Sequence, residues 1–143
     1  MTRTVLVPID DSTDSREALE YALSRHAGDE IVAFHAKDPS NAYTYGGGEA
    51  AGIAHERIEE RIEAETDDLL RAAETQASNH GVEISTATET GTPAETIVGY
   101  ADEQGVDLVV IGSRGNTGAK RLLLGSVAER VVRRSPTPVT VVR

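Results

Sequence analysis

Between Gly112 and Ser126 the chain reads GSRGNTGAKRLLLGS, directly after the apolar run Leu108-Val109-Val110-Ile111. Glycines at the exit of a buried strand let backbone N–H groups approach an anion, and a following helix N-terminus favours negative charge. The spacing is Gly112, two residues, Gly115, nine residues, then Gly125-Ser126. It lacks the Gly-Lys-Ser/Thr ending of a P-loop and the two short glycine gaps of the dinucleotide fingerprint. It does permit a two-part cradle. Gly112 and Gly115 turn the chain off the strand, Gly125 and Ser126 open the next helix, and amides from both parts face one anion. Arg114, Lys120 and Arg121 add three positive charges in a chain of formal net charge -10, a local reversal of sign that favours phosphate. A lone Gly-x2-Gly after a strand needs nothing more than a sharp turn to explain it. The third glycine, Ser126 and an aspartate ending another strand, Asp10, carry the reading to nucleotide binding.

Other chemistry is thinly represented. The absence of cysteine excludes disulfides and thiolate metal sites. His26, His35, His55 and His80 are scattered without metal-ligand spacing, and no serine has an evident base partner. His35 falls inside a strand and reads as a hydrogen-bonded structural residue. Asp10 or Asp11 could hold Mg²⁺ through a nucleotide's phosphates, since magnesium takes one or two carboxylates plus substrate oxygens. A nucleotide-binding module and a nucleotide-handling enzyme therefore both stay open. A flavin carrier is disfavoured by the aromatic content of 3% and the absence of tryptophan.

The positioning elements follow from periodicity. Arg3 to Ile9 is a strand apolar enough to be buried on both faces, and Asp10 lies at its carboxyl end, where open α/β sheets bind ligands. A polar turn, Asp10 to Asp14, leads into a helix with Ala18, Leu19, Ala22 and Leu23 on one face, ending near Gly28; Asp14 and Glu17 have the spacing of a capping pair. Glu30 to Ala36 is the second strand, followed by a loop from Lys37 to Gly48. A long helix from about Glu49 to His80 carries Ile58, Ile62, Leu69, Ala73 and Ala77 on one stripe, its charged face solvated. Val82 to Thr88 alternates and reads as an edge strand. Thr92-Pro93-Ala94-Glu95 has the form of a capping box before a helix with Ile97, Val98 and Ala101 inward and Gly105 at its end. Asp107 to Ile111 delivers the glycine loop, a helix from Ser126 follows with Val127, Val131 and Val132, and Thr137 to Val142 is the last strand.

Five strands alternating with four helices predict an α/β, doubly wound, five-stranded parallel sheet with helices on both faces, in a single domain over 1–143. No apolar segment approaches a membrane span and no signal-peptide core follows Met1, so a cytoplasmic protein is expected, with no membrane partner. The 24 acidic and 14 basic residues, with Lys37 and Lys120 the only lysines, make an acidic surface that repels nucleic acid and suits a halophilic cytoplasm; an ordinary acidic protein is the alternative.

Gly-x2-Gly-x9-Gly-Ser after a hydrophobic strand, with Val5-Leu6-Val7-Pro8-Ile9-Asp10 near the N-terminus, resembles the ATP-binding branch of the universal stress protein family over nearly the whole chain. The resemblance implies a regulatory module that binds ATP (or AMP or ADP) and reports to an unknown protein partner; analogy with other proteins of that fold gives the alternative, a weak ATPase or other adenine-nucleotide-handling enzyme. The resemblance implies a Rossmann-like sheet of order 3-2-1-4-5, of the adenine nucleotide alpha hydrolase-like type, in which Asp10 and the Gly112 loop meet at one crevice. It further implies that Pro8, Ile9 and Asp10 contact adenosine and that Ala36 makes a backbone contact to adenine. Ile111 and Gly112 would approach the ribose, while Gly115, Gly125, Ser126 and Val127 would bind phosphate. Arg114 would either clamp phosphate or point into solvent. Relatives commonly dimerise through the C-terminal strand, so a homodimer is implied here, although Pro136, Pro138 and Arg143 could instead blunt that edge.

Overall fold

The computed structural model describes residues 2–41, 51–114 and 124–143, the side chains of 41 and 51–55 excepted. The strands are β1 (Thr4–Pro8), β2 (Glu30–Lys37), β3 (Ser85–Thr90), β4 (Leu108–Gly112) and β5 (Val139–Val142). The helices are α1 (Thr13–Arg25), α2 (Ala51–Asn79), α3 (Pro93–Glu103) and α4 (Ser126–Arg134). All strand pairs are parallel, in the order β3-β2-β1-β4-β5. The sheet order is thus the one the resemblance implied.

Strand alternation divides the core in two. Val5, Val7, Ile31, Ala33 and Val110 face one side, where α1 contributes Ala18, Leu19, Ala22 and Leu23 and α2 contributes Ala73 and Ala77. Leu6, Val32, Phe34, Val109 and Ile111 face the other, against Ala94, Ile97 and Ala101 of α3 and Ala128 and Val131 of α4. Burial on both faces is why β1, β2 and β4 read as continuous apolar runs. The edge strands β3 and β5 are only partly covered.

Several local expectations are corrected. Ser12, not Asp14, caps α1: its backbone is extended and its hydroxyl accepts from Ser15 N–H at 3.1 Å. Asp14 is turned inward and only 4% exposed. Thr92 does precede α3, with Pro93 at its first turn, but its side chain makes no capping bond; instead its carbonyl accepts from the Thr96 N–H and hydroxyl. β3 starts at Ser85, later than Val82, because Val82 and Ile84 pack onto the core before the ladder begins. In α4 the inward residues are Ala128 and Val131, while Val132 is 45% exposed. Lys37 closes β2, and the loop after it opens with a 3₁₀ turn, Pro39–Asn41. The rest of that loop, including Tyr43, Tyr45 and the glycines to Gly48, lies outside the described residues.

Candidate functional site

A cavity of about 630 Å³ opens at the carboxyl ends of the strands. It lies over β1 and β4, where the strand order reverses and the chain connections diverge, the usual ligand position in open α/β sheets. Nine of the eleven residues assigned to the site from sequence line it. Pro8, Ile9 and Asp10 come from the end of β1, Ala36 from β2, Ile111, Gly112 and Arg114 from β4 and its exit, and Ser126 and Val127 from α4. Gly125 is buried beside them, and Gly115 lies outside the described residues, as do Lys120 and Arg121.

At the end of β1 a small polar network fixes the backbone. The Asp10 N–H donates to Ser15 Oγ at 2.9 Å, while Asp10 Oδ1 accepts from both the N–H and the hydroxyl of Ser12. The same carboxylate therefore ties down the turn that precedes α1. Its second oxygen, Oδ2, has no partner among the described residues.

The exit of β4 is tied to α1. Asp14 Oδ2 accepts from Ser113 Oγ, Arg114 N–H and Arg114 Nε, each at 3.0 Å, and Oδ1 accepts from Arg114 Nη2 at 3.1 Å. A two-pronged guanidinium–carboxylate contact of this kind combines charge with fixed geometry. The Arg114 guanidinium holds the Asp14 carboxyl below its ordinary value, outweighing the opposing effect of burial, with Ser113 assisting. Arg114 in turn is raised by Asp14. The Arg114 guanidinium is held against the Asp14 carboxylate at the cavity wall.

Gly112 has a packing reason for its identity. A Cβ there would lie 2.7 Å from the Asp14 carbonyl carbon and oxygen, closer than real side chains approach backbone. Ser113 is held on three sides, by its N–H to Val142 O at 2.8 Å, its hydroxyl to Asp14, and its carbonyl accepting from Gly125 N–H at 2.6 Å. The Gly125 amide is therefore already engaged and does not face the cavity as a free donor, which corrects the cradle read from sequence. Gly125 instead caps α4 in an extended conformation, and its carbonyl accepts the first helical bond, from Glu129 N–H. The amides of Ser126, Val127 and Ala128 precede that bond, have no partner among the described residues, and belong to residues that line the cavity. The positive end of the α4 dipole therefore meets the cavity.

The remaining wall comes from β2 and α2. His35 Nδ1 donates to Ile9 O at 2.8 Å, joining β2 to the end of β1, as expected of a structural histidine. Lys37 Nζ bonds Glu63 Oε1 at 2.9 Å and joins β2 to α2. Ile62, Thr66 and Leu69 of α2 also line the cavity. Thr66 is 3% exposed, and its hydroxyl has no partner among the described residues. Sequence reading missed Asp14, Ser113 and Thr66 as site-forming residues. Among the described residues, no group of three or more His, Asp or Glu is placed to hold a metal ion, and no helix is long and apolar enough to cross a membrane.

An all-parallel sheet of this order, with an open crevice at its reversal and a helix N-terminus on the rim, defines a Rossmann-like α/β domain. The sequence matches the Universal stress protein family over residues 1–143, and the chain belongs to that family. A universal stress protein of Methanocaldococcus jannaschii is 36% identical over 143 residues, covering 99% of this chain and 82% of that one. Universal stress protein YxiE of Bacillus subtilis is 33% identical over 151 residues and is covered in full, as is this chain. A solved universal stress protein in complex with cAMP superposes with a TM-score of 0.70 at 31% identity, covering 99% of this chain and 97% of that chain.

Proposed function

We propose that this chain binds an adenine nucleotide, ATP foremost, in the crevice over β1 and β4, and serves as a nucleotide-dependent regulatory module in the stress response. The observation that carries the reading is the convergence of Asp10, Gly112 and the first residues of α4 on one cavity, from positions more than a hundred residues apart in sequence. A relative of 31% identity in complex with cAMP supports the same ligand class.

The residues fit the parts of such a ligand. Ile9, Ile111 and Val127 offer apolar surface to a base and sugar. Asp10 Oδ2 would accept ribose hydroxyls. The amides of Ser126, Val127 and Ala128 and the Ser126 hydroxyl would donate to phosphate oxygens at the helix N-terminus. Asp10 and Asp11 both border the cavity, so Mg²⁺ would enter with the phosphates and take a carboxylate from this rim. Arg114 acts here by holding the wall through Asp14.

Release of bound ligand from the purified protein by acid, followed by chromatography, tests the reading. Adenosine phosphates in near-stoichiometric amount are expected; flavin, or no nucleotide together with no heat on titration with ATP, AMP or cAMP, would overturn it. Multiple-turnover phosphate release measured on the same preparation separates a module that only binds from a weak ATPase.

β5 is an edge strand whose residues Val139 to Val142 are all partly exposed. Pairing of this edge with its copy would give a homodimer. Light scattering should then report twice the 15.2 kDa chain mass, and a 15.2 kDa species at working concentration would contradict it.

A further inference from the structure

One peptide unit links α1 to the start of α4. The Ser113 carbonyl and the Arg114 N–H belong to the same planar trans peptide and point in opposite directions. The N–H donates to Asp14 Oδ2 at 3.0 Å, and the carbonyl accepts from Gly125 N–H at 2.6 Å. Asp14 Oδ2 also receives the Ser113 hydroxyl, so the carboxylate holds this peptide at two adjacent points. Gly125 is the cap of α4, and the residues that follow it, Ser126, Val127 and Ala128, line the cavity. A rotation of the Ser113–Arg114 peptide would therefore move the end of α4 that meets the ligand. Asp14 itself is 4% exposed and is not among the residues lining the cavity.

The same turn of α1 also sets the other half of the site. Ser15 Oγ accepts from Asp10 N–H, and Asp10 Oδ1 accepts from Ser12 N–H. Asp14 stands between these two serines in the chain. The carboxylate of Asp10 and the amides of α4 are thus both referred to the first turn of α1, one through Ser12 and Ser15 and the other through Asp14.

We propose that Asp14 is a positioning residue for the phosphate end of the nucleotide: through the Ser113–Arg114 peptide and the Gly125 N–H, its carboxylate orients the α4 amides that donate to phosphate. The inference rests on the nucleotide-binding reading above and adds to it the residue that sets the phosphate contacts without touching the ligand. Charge alone predicts the reverse effect. A carboxylate near an anion site repels the anion, and this one also engages the Arg114 guanidinium, so its removal would strengthen phosphate binding if it acted only as a charge. Positioning predicts that its removal weakens phosphate binding and leaves the adenosine contacts alone.

Calorimetric titration of ATP and of adenosine into the wild type, Asp14→Ala, Asp14→Asn and Ser113→Ala tests this, with circular dichroism to show that each variant is folded. The wild type should bind ATP more tightly than adenosine. Asp14→Ala should lose about tenfold in ATP affinity, while its adenosine affinity stays within about twofold of the wild type. Asparagine keeps an oxygen for the Ser113 hydroxyl and the Arg114 N–H but offers the guanidinium no charge, so Asp14→Asn should recover ATP affinity to within about threefold. Ser113→Ala removes one of the two tethers and leaves the ion pair; an ATP-specific loss of about threefold is expected, and this variant carries the test if Asp14→Ala does not fold. Unchanged or tighter ATP binding in the folded alanine variants would overturn the proposal. So would equal losses for ATP and adenosine, or an asparagine variant as weak as the alanine one. Equal affinity of the wild type for ATP and adenosine would overturn it and leave the adenosine site standing. Absence of any binding to the wild type would remove the nucleotide reading and this inference together.

Discussion

Two walls of one cavity treat their polar groups in opposite ways. Where α1 meets the exit of β4, both oxygens of Asp14 are taken up by Ser113 and Arg114. Where α2 meets β2, a buried hydroxyl and an imidazole nitrogen are left without protein partners among the described residues. A carboxylate 4% exposed requires its countercharge, because an unpaired buried charge is far more costly than an unpaired hydroxyl. A neutral hydroxyl can wait for water or ligand at modest cost. The first wall is therefore held by its polar groups, whereas the second is held by packing and leaves two of its polar atoms out of the protein's own hydrogen bonds.

The sharpest way to break the comparison is at Gly112. Gly112→Val drives a side chain into the Asp14 backbone and should cost about 3 kcal/mol or more, read from the urea midpoint. An unchanged midpoint would mean that α1 does not press on β4 as described. Next is Asp14→Ala, expected to cost about 2 kcal/mol by removing the carboxylate to which the Ser113 hydroxyl and the Arg114 N–H both donate. The pair also has an acid signature. Because Arg114 lowers the Asp14 pKa in the fold, the unfolded chain takes up its proton at a higher pH than the folded one. The contribution of Asp14 is thus complete above about pH 4 and is lost progressively below it. Denaturation midpoints taken from pH 7 to pH 2 should fall more steeply for the wild type than for Asp14→Ala; parallel curves would remove Asp14 from the account.

Thr66→Val makes the opposite test, with a stability change within about 0.5 kcal/mol read from the urea midpoint, because no internal hydrogen bond is removed; a loss of about 2 kcal/mol would show that the fold does use the hydroxyl. Salt gives the smallest effect. Exposed pairs such as Arg61–Glu65, 80% and 62% exposed, are screened, whereas the largely enclosed Asp14 contact is not. The cost of Asp14→Ala measured in 0.1 M and in 1 M salt should agree within a few tenths of a kcal/mol. A cost that vanishes in high salt would show that this wall is open to solvent.

Legibility in the sequence followed the range of the interaction. β1, β2 and β4 were readable because burial on both faces leaves unbroken apolar runs, and the turns that separate them carry glycine, proline or aspartate. Asp10 and Gly112 were readable because strand ends at the reversal of order are defined by position. Asp14 was not, since its partner lies 100 residues away and the local pattern Asp-x-x-Glu imitates a cap. The free amide assigned to Gly125 failed for the same reason: Ser113 takes it through a contact no spacing announces. Thr66 did leave a trace. The apolar stripe of α2 runs Ile58, Ile62, Leu69, Ala73, and the vacant place between Ile62 and Leu69 is filled by a buried threonine. Val132 misled because α4 carries two apolar pairs, Val127-Ala128 and Val131-Val132, while a helix beside the partly covered β5 buries only one residue of each.

Titration of ATP into the wild type and into Asp10→Asn, followed by calorimetry, bears most directly on the nucleotide site. Asparagine keeps an acceptor for Ser12 and so preserves the turn, but it replaces the second carboxylate oxygen, the one assigned to the ribose, with a donor. One saturable site per chain in the wild type, weakened at least tenfold in Asp10→Asn with an unchanged circular dichroism spectrum, is the expected result. Equal affinity in the two proteins, or no saturable heat in the wild type, would contradict a nucleotide seated between the end of β1 and the start of α4.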